Sequence, residues 1–525
     1  MRIVKVYKPS LHIVITVILS LVFAAVIFFS LSLKENLFMD EILSYFRANR
    51  PAMPDNRGVL PYNVMLTDLK TVLSDYLLTV SEPFNFRNVY IQETMNVHPP
   101  LYYYLLHFIC SLFPGTFSVY YAGAINVLFG ILTLILLGRI VRIFTNDPLT
   151  YTLSLTAYIL SHAIICQVIF LRMYIMLGFW ITALVYLFIH DPLQEKDIRY
   201  YIFLFITVYG GISTHYHFLL FLAPASLIYL IVLLKHRKYR IILWHTVTVC
   251  AAFLCAYLSF PYMLHQLTQT DRAAEAVHNL RASRIHTEYF HELASLLFAN
   301  LFGPHYLLFI LLAVTGCAVC LFQKEHRLQF LLTVLPLCIF YLLTTETISF
   351  MSVRYYFALY PVLIILFFLF IRALFTAVPR MNRIAPVLTF LILTLGNACA
   401  YRTVPMEYMF YGDSEKRQIL APYTDADCLF IMHRKDMQAP VYADIAELSE
   451  YNSLTLAAKD DLSQAAALLQ DSQKLIVVTD DGYFYTSDTL LEEIQELLSK
   501  YGLPDQMTDL GSFTEFTHTY YCMRK

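Results

Sequence analysis

Charge is what this 525-residue chain has least of: 14% of its residues are Asp, Glu, Lys or Arg, against roughly a quarter in an ordinary soluble domain. That deficit excludes a water-soluble protein as the body of the molecule. The formal net charge is −2, with no basic stripe outside short clusters beside apolar runs, which excludes a nucleic-acid partner. The polar tail has no Gly-rich phosphate loop, and the chain shows no internal repeats of the transporter kind and no low-complexity stretch. Ten cysteines are present, eight of them in apolar segments, where Cys behaves as a small hydrophobe. Cys317 and Cys320 form a CxxC inside an apolar run without a matching ligand pair, so no metal or redox centre is assigned to them. Only Cys428 and Cys522 lie in polar sequence, where an oxidising compartment would let them pair.

What is present is apolar. Hydrophobic residues make up 58% of the chain and aromatics 15%, and the mean hydropathy is +0.57. The first run, about 11–33, follows Arg2, Lys5 and Lys8; it is too long for a signal-peptide core and lacks a small-residue cleavage site, so it reads as a retained anchor. Runs near 118–138, 148–165, 173–190, 199–214, 216–234, 241–262, 305–322, 328–344, 355–375 and 384–400 bring the expected spans to about eleven. One more run, "PPLYYYLLHFICSLF", is too short to cross and reads as an interfacial or re-entrant helix. With it left out, Arg139/Arg142, Lys196/Arg199, "KHRKYR" at 235–240, Lys324/Arg327 and Arg372/Arg380/Arg383 all join the N-terminus on one side. The positive-inside rule makes that side cytoplasmic and the C-terminus extracytoplasmic.

The expected architecture is a polytopic α-helical membrane protein with a transmembrane domain over 1–401 and a small soluble α/β domain over 402–525. In the tail, "DCLFIMH" (427–433) and "LIVVT" (475–479) read as buried strands, 461–470 and 488–500 as helices, and "GSFTEFTHTYYCM" as a closing strand pair. External loops of 34–117 and 263–304 complete the outer face.

The unusual polar groups collect on that face. In "SLKENLFMDEILSYFRA", Asp40 and Glu41 stand side by side just after the first span; one carboxylate is explained as a helix cap, two less readily, and the pair suits a general base. In "MNVHPPLYYYLLH", two prolines start the short helix and His98 stands ahead of it, with Tyr102 in its first turn. Arg172 and Tyr174 in "FLRMY", and Arg354 and Tyr355 in "SVRYYF", are either interface anchors or phosphate contacts. "STHYHF" offers His215 and His217, whose i,i+2 spacing does not present one helical face to a metal. The 263–304 loop carries Arg272, Arg281 and Arg284 with His278, His286 and His291, a solvated helix or a substrate gate.

The order of these motifs resembles the membrane glycosyltransferases of the C superfold, and most closely the bacterial relatives of the protein O-mannosyltransferases and the lipid A aminoarabinose transferases. It runs from the acidic pair through "HPPLYYYLLH" and the basic turn after "SVYYAGAINVLFGILTLILLGRIVRIF" to "LRMY" and "RYYF....P", covering roughly 10–400. The resemblance implies a GT-C-like fold and a sugar donor linked to polyprenyl phosphate. Carried over position by position, it makes Asp40 the general base with Glu41 its neighbour, brings His98 into the site with the "HPPLY" element, and assigns Arg172 and Arg354 to the phosphate. The acceptor, whether lipid, glycan or protein, is left open. No metal is assigned, since no D-x-D lies near Asp40 and relatives differ in metal dependence. Two other classes suit a polytopic chain: a transporter or lipid flippase, and a non-catalytic scaffold whose tail binds a partner.

Overall fold

The structure is a computed structural model that describes residues 11–51, 60–69, 78–282, 287–322, 326–348, 351–433, 439–480, 490–513 and 517–524. Among them, eight helices are long and apolar enough to cross a membrane, and the bent pair Pro148–Ile159 and His162–Ile169 makes a ninth. The other two expected spans form the apolar helix Tyr174–Ile189, of 16 residues, and the helix Ile198–Thr214, of 17. All eleven expected segments are therefore helical, and the chain is a polytopic α-helical membrane protein. The short run after the double proline forms one helix, Leu101–Ser111, of 11 residues. Arg2, Lys5, Lys8, Arg284, His286 and Lys324 lie outside the described residues.

By its internal contacts the chain divides into two compact units. The first comprises Met1–Ser32, Asn96–Tyr102 and Ala122–Glu407. Its helices turn apolar side chains outward as well as inward: on Leu11–Ser32, Leu21 is 67% and Phe29 66% exposed, as a lipid solvent allows. Gly316 permits close packing, because a Cβ there would run into the backbone of Phe370 on the neighbouring helix. The bent pair meets at 50°, and the break frees backbone groups that lipid cannot satisfy. Asn397, on the last span, closes that gap: its Oδ1 accepts from the His162 N–H at 2.8 Å and its Nδ2 donates to the Leu160 carbonyl at 2.8 Å.

The second unit comprises Leu33–Met95, Tyr103–Tyr121 and Tyr408–Lys525, so the first long loop is grouped with the tail and not with the spans. Its six-stranded sheet has the order β1-β3-β2-β4-β6-β5. The strands β2 (Asp427–Met432), β3 (Ser453–Ala458) and β4 (Lys474–Thr479) are parallel. β2 and β4 read as near-continuous apolar runs, and every residue of β3 is buried although it contains Ser453 and Thr455, because both faces of the sheet are covered. The short β1 (Met65–Thr67), from the loop, adds antiparallel to β3, and β6 (His518–Met523) joins β4 antiparallel with β5 (Gln506–Gly511) at the edge. The helices Ser463–Leu468 and Leu490–Lys500 contribute Ala465, Ile494 and Leu498 to a core with Leu429, Leu475 and Val477. Cys428 and Cys522 are both free and buried. Strand β4 lies between them, and Cys522 shares a row with Leu475 and Asp427 while Cys428 is the next residue along, so they face opposite sides of the sheet and do not pair.

Candidate active site

In the first unit, a polar cluster forms where three chain breaks meet. Pro99 and Pro100 end the bent approach to the helix Leu101–Ser111 and leave His98 in the loop ahead of it. Arg172 lies in the break between His162–Ile169 and Tyr174–Ile189, and Asn126 shapes that turn by donating to the carbonyls of Val168 (2.8 Å) and Phe170 (2.9 Å). His215 caps the helix Ile198–Thr214, whose end is held by the Trp180 indole donating to Thr214 at 2.9 Å.

These breaks bring the expected residues together. The guanidinium of Arg172, only 4% exposed, donates to His98 Nε2 at 3.2 Å. His98 packs on His215 with ring centres 5.1 Å apart, and Tyr174 lies 5.7 Å from His215 on a second side. His217 continues the row, 4.6 Å from His215 and 5.5 Å from Tyr355, whose ring lies under the Arg354 guanidinium at 5.6 Å. Tyr102 is fully buried in the first turn of its helix.

Protonation follows from the bonds. His98 Nε2 accepts from Arg172, so its proton sits on Nδ1. His215 Nδ1 accepts from the His217 N–H at 3.1 Å, which places the proton on Nε2. Burial, and then the charges of His217, His98 and Arg172, hold the His215 imidazole well below its usual range, so it is neutral. Among the described residues, its buried Nε2–H has no protein acceptor. A guanidinium beside a buried imidazole N–H is an arrangement that holds an anion.

Two residues that sequence reasoning did not single out fix the cluster. Gln266 donates to the Asn96 carbonyl at 2.7 Å and accepts from the Tyr216 hydroxyl, tying the His98 loop to the His215–His217 turn. Asn126 does the same for the Arg172 turn. Neither has a local signal, since a lone amide within an apolar helix or a polar loop reads the same in any role. In the 263–304 loop, Arg272 pairs with Glu275 at 3.1 Å on an exposed helix face.

The acidic pair lies in the second unit, in the first turn of the helix Met39–Asn49. The two carboxylates have different surroundings. Glu41 is fully buried; it meets Lys34 Nζ at 3.0 Å and accepts from the Phe38 N–H at 2.6 Å, while Lys34 also donates to the Tyr408 carbonyl. Asp40 is half-buried in the first turn of the helix. The helix itself is anchored by the Tyr45 hydroxyl on the Ser118 carbonyl (2.8 Å) and Asn49 on the Leu78 carbonyl (2.7 Å).

No protein-family model and no curated protein matches the sequence. Among solved structures the chain is similar to ArnT from Cupriavidus metallidurans bound to undecaprenyl phosphate, at 11% identity and a TM-score of 0.52 over 97% of each chain. The expected resemblance is thereby borne out for the fold, which is like that of ArnT.

Proposed function

We propose that this chain is a membrane glycosyltransferase that moves a sugar from a polyprenyl-phosphate donor to an extracytoplasmic acceptor. The observation that carries the reading is the fold shared, over 97% of both chains, with a protein whose structure holds undecaprenyl phosphate. The buried Arg172–His98–His215 cluster supports it, since it offers an anion two donors of different kinds.

In this reading Asp40 takes the proton from the acceptor hydroxyl as that oxygen attacks the anomeric carbon. The bond from the anomeric carbon to the phosphate oxygen breaks with inversion, and polyprenyl phosphate leaves. Arg172 and the His215 Nε2–H meet the negative charge that develops on the leaving oxygen, with Arg354 as a further contact. The leaving group is already a stable phosphate anion, so no general acid is required. Glu41 acts through Asp40: its bonds to Lys34 and the Phe38 N–H fix the turn that presents the base.

The test is mass spectrometry of surface glycans and lipids from cells with and without the chain, repeated with Asp40→Asn and Asp40→Ala. The product should vanish in both variants while the protein remains in the membrane and still binds undecaprenyl phosphate. Full product from both variants would refute the mechanism.

A further inference from the structure

In an open α/β sheet, ligands bind outside the carboxyl ends of the strands, where neighbouring strands send their connections to opposite faces. The second unit has such a point. Strand β2 lies between β3 and β4, and the three are parallel. The chain leaves β2 for β3 through the helices Ala439–Ala443 and Ile445–Leu448. It then returns past β2 to β4 through Ser463–Leu468. Right-handed crossovers that run in opposite directions lie on opposite faces. Ser463–Leu468 shares its core with Leu490–Lys500, the helix that leads away from β4. The connections therefore part between the carboxyl ends of β2 and β4.

A cleft occupies that place. Ile431 and His433 come to it from the end of β2, Asp480 from the end of β4, Lys459 from the residue after β3, and Glu493 and Leu497 from the helix Leu490–Lys500. We propose that this cleft is a carbohydrate-binding site, separate from the residues assigned to transfer, and that it takes a neutral, hydroxyl-rich glycan. The inference goes beyond the glycosyltransferase reading and does not depend on it.

Three observations support the assignment. The first is that the strand ends are tied together. Asp480, only 2% exposed, accepts from the His433 N–H through both oxygens, at 3.0 and 2.9 Å, and so joins the end of β4 to the end of β2. The Lys459 N–H donates to the Met432 carbonyl at 2.8 Å and does the same for β3. A wall fixed before a ligand arrives costs it little ordering.

The second is the chemistry within reach of a ligand. The Lys459 ammonium and the Glu493 carboxylate stand 3.0 Å apart, with 35% and 40% of their side chains exposed. A sugar hydroxyl both donates and accepts, and such a pair offers an acceptor and donors side by side. Ile431 and Leu497 lie beside the pair, an apolar surface for the C–H face of a ring. The cavity itself is about 20 Å³, room for about one oxygen-sized group. A single hydroxyl seats there with its ring outside.

The third is what the helix does at this point. At a switch point of this kind a helix N-terminus ordinarily receives a phosphate. Here the first turn of Leu490–Lys500 carries Glu492 and Glu493, which occupy the positive end of the dipole themselves. A phosphate would meet carboxylates in its place, and a nucleotide base is too large for the cavity.

The experiment uses the full chain in phosphatidylcholine nanodiscs. The probes are the methyl glycosides of glucose, galactose, mannose and N-acetylglucosamine, with glucose 1-phosphate as the anionic comparison. Saturation-transfer NMR should show at least one neutral glycoside binding at least about tenfold more tightly than the phosphate. Leu497→Trp, at a half-buried lining position, should abolish that binding while undecaprenyl phosphate binds as before. Glu493→Gln should weaken it about tenfold and decides the matter if Leu497→Trp does not fold. Asp40→Asn should bind the glycoside as the parent does. Failure of every neutral glycoside to bind, a preference for the phosphate, or unchanged binding in the folded cleft variants overturns the assignment. Loss of binding in Asp40→Asn with retention in the cleft variants overturns it too, since the glycoside then sits at the transfer centre. Full product from Asp40→Asn together with binding at the cleft would refute the transfer mechanism and leave this inference standing.

Discussion

The Lys34–Glu41 pair separates the two members of the acidic doublet by experiment. Both side chains are fully buried and the charges are 3.0 Å apart. Removing one partner of such a pair costs about 3–5 kcal/mol, because the other charge is left unmatched where water cannot reach it. Lys34→Met should therefore lower the folded-to-unfolded ratio of this unit about a thousandfold. The lost bond to the Tyr408 carbonyl adds to the deficit. The double variant Lys34→Met/Glu41→Leu, which removes both charges, should recover most of the stability. Thermal unfolding of the purified protein with a double-mutant cycle measures the coupling. Transfer by the double variant should be reduced but measurable at temperatures where it is folded, because the turn that presents Asp40 has lost its Glu41 bonds, whereas Asp40→Asn should be stable and inactive. If Lys34→Met and the double variant unfold alike, or if Glu41→Gln is as stable as the parent, Glu41 is not the structural partner described here.

Arg172→Ala should weaken undecaprenyl phosphate binding about ten- to a hundredfold, since a hydrogen bond to a charged group is worth about 1.5–3 kcal/mol. Arg172→Lys should recover part of it, because a point charge replaces a fork of donors; equal binding in the parent and both variants would remove Arg172 from the site. Burial, and then the Asp444 carboxylate, push the Glu447 carboxyl up to about 7 from an ordinary 4.5. The unfolded chain ionises this group first, so its contribution is complete below about 4.5 and is lost as pH rises to about 7, by about 3 kcal/mol. The unfolding midpoint should fall across that window in the parent and be flatter in Glu447→Gln; identical slopes would refute the assignment.

The membrane architecture was legible in the sequence because lipid imposes a length and a polarity on every span, and each expected segment is a helix. The breaks within spans were not legible. The run 148–165 reads as one span, but its turn at Leu160–His162 depends on an amide more than two hundred residues away, which no local pattern reveals. The tail strands at 427–433 and 475–479 were legible as apolar runs. The pairing of Met65–Thr67 with β3 was not, because a three-residue strand has no period to detect. In the cluster, Arg172, His98 and His215 were readable as polar groups beside spans, but their mutual contact depends on Asn126 and Gln266, neutral amides with no distinguishing neighbours. Lys34 was visible as the first charge after the anchor, and only its burial shows that it belongs to Glu41.

Asn397 also constrains the order in which the protein can be made. The kinked pair is synthesised with a bare carbonyl and a bare amide at its elbow, and the residue that seals them emerges 235 positions later than His162. At about 5–20 residues per second, that interval is on the order of tens of seconds. Throughout it, the elbow must stay wet or be shielded by another protein, so maturation of the early helices waits on the arrival of the last one.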